Sequence, residues 1–147
     1  RATYDRRLLV GETPESVLAP IQALLEQLMT QDPELKVHVG YAVGKELCHT
    51  GNEIEGERFF PGWLFEEDAD FVQAVYRQLK EMGYAPEITR YNFCTNGSHY
   101  AGEAGIKTFG LGPSRENLAH TVDEYIDIDQ LAKVCHCYTG VMAALLK

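Results

Sequence analysis

The chain has 147 residues, of which 45% are hydrophobic and 24% charged, and this suits one ordinary globular domain with a core to bury. Its 22 acidic and 13 basic residues give a formal net charge of -9, which argues against a surface for nucleic acid, since a phosphate backbone would be repelled. No apolar run approaches the roughly 20 residues of a bilayer span and no signal peptide is visible, so a membrane partner is not expected.

The chain opens at Arg1, and "RATYDRRLLV" reads as a strand already in progress, closing on Leu8-Leu9-Val10. That start suggests a piece of something longer, or a mature chain trimmed of a few residues. "GETPESVLAPIQALLEQLM" then carries helix-start signals. Thr13 can cap, Pro14 suits the first helical position, and Glu15 favours the positive helix end. Val17, Leu18, Ile21, Leu24, Leu25 and Leu28 form one apolar face, with Pro20 expected to bend the second turn. "LKVHVGYAV", from Leu35 to Val43, reads as a second strand with Val37, Val39 and Tyr41 on one side.

Residues 45–66 lack a sustained period and read as a linker, although Phe59, Phe60, Trp63 and Phe65 are aromatic enough to pack onto a domain surface. "DADFVQAVYRQLKEMGY" is an amphipathic helix ended by Gly83. "PEITRYNFCT" reads as a strand, "NGSHYAGEAG" as a glycine-rich turn leading into a short helix, and "IKTFGLG" as an apolar strand buried on both faces. A final helix starts near Asp129, with Leu131, Val134, Cys135, Tyr138, Val141, Met142 and Leu145 as its stripe. Helices separated by apolar strands predict an α/β layered domain. The four cysteines, Cys48, Cys94, Cys135 and Cys137, are too scattered for a disulfide framework and suit a reduced, cytoplasmic setting.

In α/β sheets ligands bind beyond the carboxyl ends of strands, which singles out the loops Thr95–Tyr100 and Gly112–His120. They would put His99 and His120 at one end of the sheet if their strands are neighbours. Either histidine could be an ordinary polar loop residue, since one imidazole specifies no metal site. Asp123 and Glu124 read as solvent-facing or as support for the next helix. Cys135-His136-Cys137 has the look of a metal motif, but helical residues two apart point away from each other, so core and surface roles are favoured.

Two stretches resemble a known family. "TYDRRLLVGETPESVLAPIQALLEQL" looks like the later strand and helix of the inserted lid domain in metallopeptidase family 20, which includes carboxypeptidase G, aminoacylase, acetylornithine deacetylase and succinyl-diaminopimelate desuccinylase. "AGEAGIKTFGLGPSRENLAHTVDEYIDIDQL" resembles that family's closing segment, roughly "AEAGIPTVxFGPG…AHxxDEYV". The resemblance implies the C-terminal part of a three-layer αβα zinc-peptidase domain with part of a ferredoxin-like lid. Its divisions would be residues 1–44 for the partial lid, 45–66 for the linker and 67–147 for the catalytic portion. It further implies two zinc ions in the intact enzyme, with cobalt or manganese as alternatives, cleavage of an amide bond in a small-molecule amide or peptide, and a homodimer formed through the lid.

By the same resemblance His120 matches a ligand of the metal pair, and Arg7 matches a lid arginine that reaches the substrate. Asn96, Gly97, Ser98 and His99 would line the substrate pocket. The family often has "TSDAR" where this chain has "TNGSH", so His99 stands in place of a carboxylate-gripping arginine. The "NGSHY" form resembles a branch of hydrolases associated with selenium and purine metabolism. The family's "HxD" and catalytic "EE" motifs do not occur here in their settings, so no catalytic residue is expected in this chain, which would be inactive alone. The alternative reading is a non-catalytic dimerisation or binding module on the same scaffold.

Overall fold

The computed structural model describes residues 1–146 and shows a mixture of helices and strands. In chain order these are helix α1 (Pro14–Gln31), strands β1 (Val43–Leu47) and β2 (Glu53–Glu57), helix α2 (Asp70–Glu81) and helix α3 (Ile128–Leu145). A π-helical turn at Ser98–Glu103 and a 3-10 turn at Glu116–Leu118 lie between α2 and α3.

Helix α1 begins as its sequence dictates. The Thr13 hydroxyl accepts from the Ser16 amide at 3.2 Å, and Ser16 Oγ accepts from the Thr13 amide at 2.8 Å. This reciprocal capping satisfies donors that the first turn would otherwise leave unpaired. Of the apolar face, Val17 is buried, whereas Ile21, Leu24 and Leu28 remain exposed. Tyr41 ties the following segment back to the helix, donating from its hydroxyl to the Pro14 carbonyl at 2.8 Å.

The segment read as a linker carries the sheet. β1 and β2 pair antiparallel, Val43 opposite Glu57 and Leu47 opposite Glu53, around a turn in which Gly51 adopts φ +83. All five residues of β2 are exposed, so no buried face imprints an alternating pattern on its sequence. Charge pairs across the hairpin take that role: Lys45 Nζ lies 2.8 Å from Glu53 and 3.3 Å from Glu55.

The segments expected as strands at Arg1–Val10, Leu35–Val43, Pro86–Thr95 and Ile106–Gly112 do not form a sheet. Among the described residues, their sheet-type contacts are an isolated parallel bridge from Val10 to Gly62 and the place of Val43 at the start of β1. A strand exists only when another backbone takes up its N–H and C=O groups, and apolar character by itself supplies no partner.

The packed centre lies between α2 and α3. Val75, Leu79 and Cys137 are buried, with Met82, Tyr84, Phe109, Leu111, Val141 and Ala144 against them. α2 ends as expected at Gly83, at φ +86, where the Tyr84 amide reaches the Leu79 carbonyl and the Gly83 amide reaches Lys80. On α3 the buried positions are Cys137 and Gly140, a face rotated from the expected stripe. Cys135, Tyr138, Met142 and Leu145 of that stripe stay exposed. α2 selects this face because Gly140 leaves room for the Met82 sulfur, which would lie 2.2 Å from a Cβ there.

A second close contact brings the aromatic segment onto the loop after α2. A Cβ on Gly97 would lie 2.5 Å from the Trp63 ring, and one on Gly102 would lie 2.8 Å from Pro61. One residue on, a Cβ at Gly62 would fall 2.8 Å from the Leu9 backbone. "FFPGW" thus fits between Leu8–Val10 on one side and the 97–102 turn on the other, as glycines allow.

Leu79→Ala should lower unfolding stability by about 2–5 kcal/mol, read from the urea midpoint, because Leu79 is 5% exposed in the α2–α3 core. Gly97→Ala should cost about 1–3 kcal/mol through the clash with Trp63. Gly112→Ala, with open space around it, should change the midpoint by less than about 0.5 kcal/mol. Equal effects at Gly97 and Gly112 would remove the role given to the tryptophan contact.

Candidate functional site

The turn after Phe93 is built from its own polar groups. Thr95 Oγ1 accepts from the Gly97 amide at 3.1 Å, and the Asn96 carbonyl accepts from the amides of His99 and Tyr100. Asn96 therefore starts the turn through its backbone. Gly97 is buried beneath Trp63, and Ser98 is 4% exposed with its hydroxyl 3.5 Å from the Cys94 sulfur. His99 points out of this packing: its Nδ1 lies 3.0 Å from a Glu103 carboxylate oxygen, and its ring meets Phe60 edge-on at 5.5 Å. A carboxylate on one ring nitrogen orients the imidazole and leaves Nε2 for another partner.

A cavity of about 530 Å³ opens beside this turn. Leu8–Val10, Phe60–Phe65, the Val72–Val75–Leu79 face of α2, residues 86–95 and residues 108–111 line it. Arg7 and Ser98 also line it, so the structure brings these two site candidates to one cavity. Asn96, Gly97 and His99 are not among its walls. The Arg7 guanidinium is exposed and lies 3.6 Å from Asp5.

His120 sits elsewhere, on the loop after the 3-10 turn. Its φ is +60, and Ser114 and Asp123 in the same loop are also at positive φ. A non-glycine residue in this region costs roughly 1–2 kcal/mol and persists only where surrounding contacts impose it. The contact here is Glu124, whose carboxylate accepts from the His120 backbone amide at 3.1 Å. Glu124, read as solvent-facing or as helix support, thus holds the histidine's own backbone. Thr121 donates to the Leu118 carbonyl at 2.8 Å, and the Gln130 side chain of α3 accepts from the Ser114 amide at 2.6 Å. The His120 side chain is exposed, and no hydrogen bond joins it to His99 among the described residues.

Cys137 of the CHC run belongs to the core and Cys135 is exposed. His136 Nδ1 lies 2.8 Å from the Tyr84 hydroxyl. Burial, with the Cys137 thiol adding to it, raises the Tyr84 phenol above the usual tyrosine range. A phenol is protonated at neutral pH in any case, and it donates to the ring when His136 Nδ1 carries no proton. Sequence reasoning assigned no role to Tyr84 or Glu103; Glu103, four residues from His99 on the same turn, was open to an i,i+4 reading.

The residues that the chain offers do not by themselves fit a metal centre. Among the described residues no group of three or more His, Cys, Asp or Glu side chains converges, and His120 alone is short of the four ligands that zinc takes.

Residues 8–144 match the protein family described as "Peptidase family M20/M25/M40". Two similar proteins, each described as "Uncharacterized protein YgeY", come from Escherichia coli strain K12 and from Escherichia coli O157:H7. Each is 36% identical over 123 residues, covering 83% of this chain and 29% of the relative. The chain thus spans less than a third of the length of these curated relatives. No solved structure matches it significantly. With the match running through nearly all of its residues, the chain belongs to peptidase family M20/M25/M40.

Proposed function

We propose that this chain is the C-terminal portion of a metal-dependent amidohydrolase that cleaves an amide bond in a small molecule or peptide. The observation that carries the reading is the His120 loop. A family member has spent backbone strain on a histidine at φ +60 and fixed its amide with Glu124. In this reading His120 supplies one ligand to a metal pair, zinc in the first instance, whose remaining ligands and general base lie outside residues 1–147. The 1–44 segment would belong to a ferredoxin-like lid and residues 67–147 to a three-layer αβα domain.

Within the chain itself the residues bind and orient; no catalytic step is assigned to them. Arg7 and Ser98 share a cavity wall, and His99, steered by Glu103, offers Nε2 to a polar group of the substrate. The branch associated with selenium and purine metabolism remains the nearest reading of "NGSHY". A homodimer through the lid belongs to the same reading, and the β1–β2 hairpin just after the lid segment has free outer edges among the described residues at which a second copy could also pair. A cytoplasmic setting fits the four free cysteines, and no described helix is long and apolar enough to cross a membrane.

His120→Ala, made in the complete gene product, should lose at least one metal ion by elemental analysis and most amide hydrolysis while the circular dichroism of the fold is kept. His136→Ala should retain both, because its ring contacts Tyr84 and not the loop. Full metal content and normal turnover in His120→Ala would overturn the ligand assignment.

A further inference from the structure

The turn that carries His99 also carries the group that decides what its ring can offer. Glu103 stands four residues on in the same π-helical turn, with a carboxylate oxygen 3.0 Å from His99 Nδ1. Backbone bonds close the turn. The Ala104 amide donates to the His99 carbonyl at 3.0 Å, and the Ile106 amide donates to the Tyr100 carbonyl at 2.7 Å. Pro61 holds the turn from outside, since a Cβ on Gly102 would lie 2.8 Å from its ring. Phe60, one residue before, meets the His99 imidazole edge-on at 5.5 Å. The imidazole thus has a partner on two sides while its side chain stays 47% exposed.

This position is on the rim of the 530 Å³ cavity. Phe60 and Ser98, which flank His99 in space and in sequence, both line that cavity, and so does Arg7. A molecule lodged against Phe60 therefore has the imidazole beside it.

An unprotonated ring nitrogen and a carboxylate oxygen are both acceptors, and they repel each other at 3.0 Å. In the neutral ring the proton therefore belongs on Nδ1, facing Glu103, and Nε2 keeps its lone pair. A free histidine side chain prefers the opposite tautomer, so the arrangement has to be imposed. An imidazole is mostly neutral at pH 7, which makes the outward face of such a ring an acceptor.

We infer that His99 selects a substrate group bearing an N–H or O–H donor, and that Glu103 is the residue positioning it to do so. A carboxylate brings no proton to Nε2, and the Glu103 charge beside the ring repels it. A neutral donor such as a primary carboxamide or a hydroxyl meets neither obstacle. The inference rests on the amidohydrolase reading for what the ring contacts, whereas the tautomer follows from the turn alone.

NMR of the imidazole nitrogens, on the complete gene product with labelled histidine, tests the tautomer, with His99→Gln identifying the signals. At alkaline pH, where an imidazole is neutral, His99 should show a pyrrole-type Nδ1 and a pyridine-type Nε2. Glu103→Gln keeps an acceptor oxygen and should keep this pattern, whereas Glu103→Ala should move the proton to Nε2. Binding is then compared for N-acetylglycinamide and N-acetylglycine, which differ in a carboxamide against a carboxylate. The amide should bind at least about 5-fold more tightly and shift the Nε2 signal. His99→Arg, which presents only donors, should reverse that preference with metal content unchanged. A proton on Nε2 in the unsubstituted protein overturns the proposal, as do an acid that binds as well as the amide and a failure of both to reach the ring. Metal content and hydrolysis of the complete product report separately on the amidohydrolase reading, since neither the tautomer nor probe binding requires turnover.

Discussion

Three glycines let backbone and aromatic side chains come together where any larger residue would hold them apart. Gly62 admits the Leu9 backbone, Gly97 admits Trp63, and Gly102 admits Pro61. Through them, the segment between the hairpin and α2 is fixed on one side to the first residues of the chain and on the other to the Ser98 turn. Ser98 is buried, Arg7 is brought to the same cavity, and His99 is turned outward to Glu103 because of this arrangement. The aromatic run is thus a wall shared by the amino-terminal segment and the turn, although its sequence has the lack of period usual for a connector.

The α2–α3 pair is the other fixed element, and it shows how a partner chooses between faces. α3 carries apolar residues over more than half its circumference. Cys137, Gly140, Val141 and Ala144 meet α2, while Tyr138, Met142 and Leu145 remain at 41–52% exposure. Similar uncovered apolar side chains occur on α1, at Ile21, Leu24 and Leu28. The segments around the large cavity show a similar openness in their backbone, with no backbone–backbone hydrogen bond at residues 85–94 or 107–113 among the described residues.

The His120 loop differs in kind from these surfaces. Its hydrogen bonds come from Glu124 and Thr121 within the loop and from Gln130 of α3, around a histidine and two other non-glycine residues in left-handed conformations. The loop thus combines left-handed backbone at three non-glycine residues with an exposed imidazole. His99, by contrast, is oriented by Glu103 and by the Phe60 ring of the aromatic segment.

Local chemistry was legible in the sequence wherever it acts within a few residues. Thr13 and Pro14 start α1, Gly83 ends α2, and the final helix begins close to Asp129, because capping and periodicity require no distant partner. The family, too, was written in "AGEAGIKTFGLGPSRENLAH", a contiguous stretch. Tertiary structure alone decided which apolar segments became strands, because pairing depends on a second backbone at the right distance. It gave the sheet to Val43–Leu47 and Glu53–Glu57, exposed and charged, and withheld it from "PEITRYNFCT" and "IKTFGLG". It also decided that Arg7 and Ser98 meet at one cavity and that Glu124 holds the amide of His120. Long-range proximity and a side chain's choice of partner follow from how elements pack, and a linear sequence carries no signal for either.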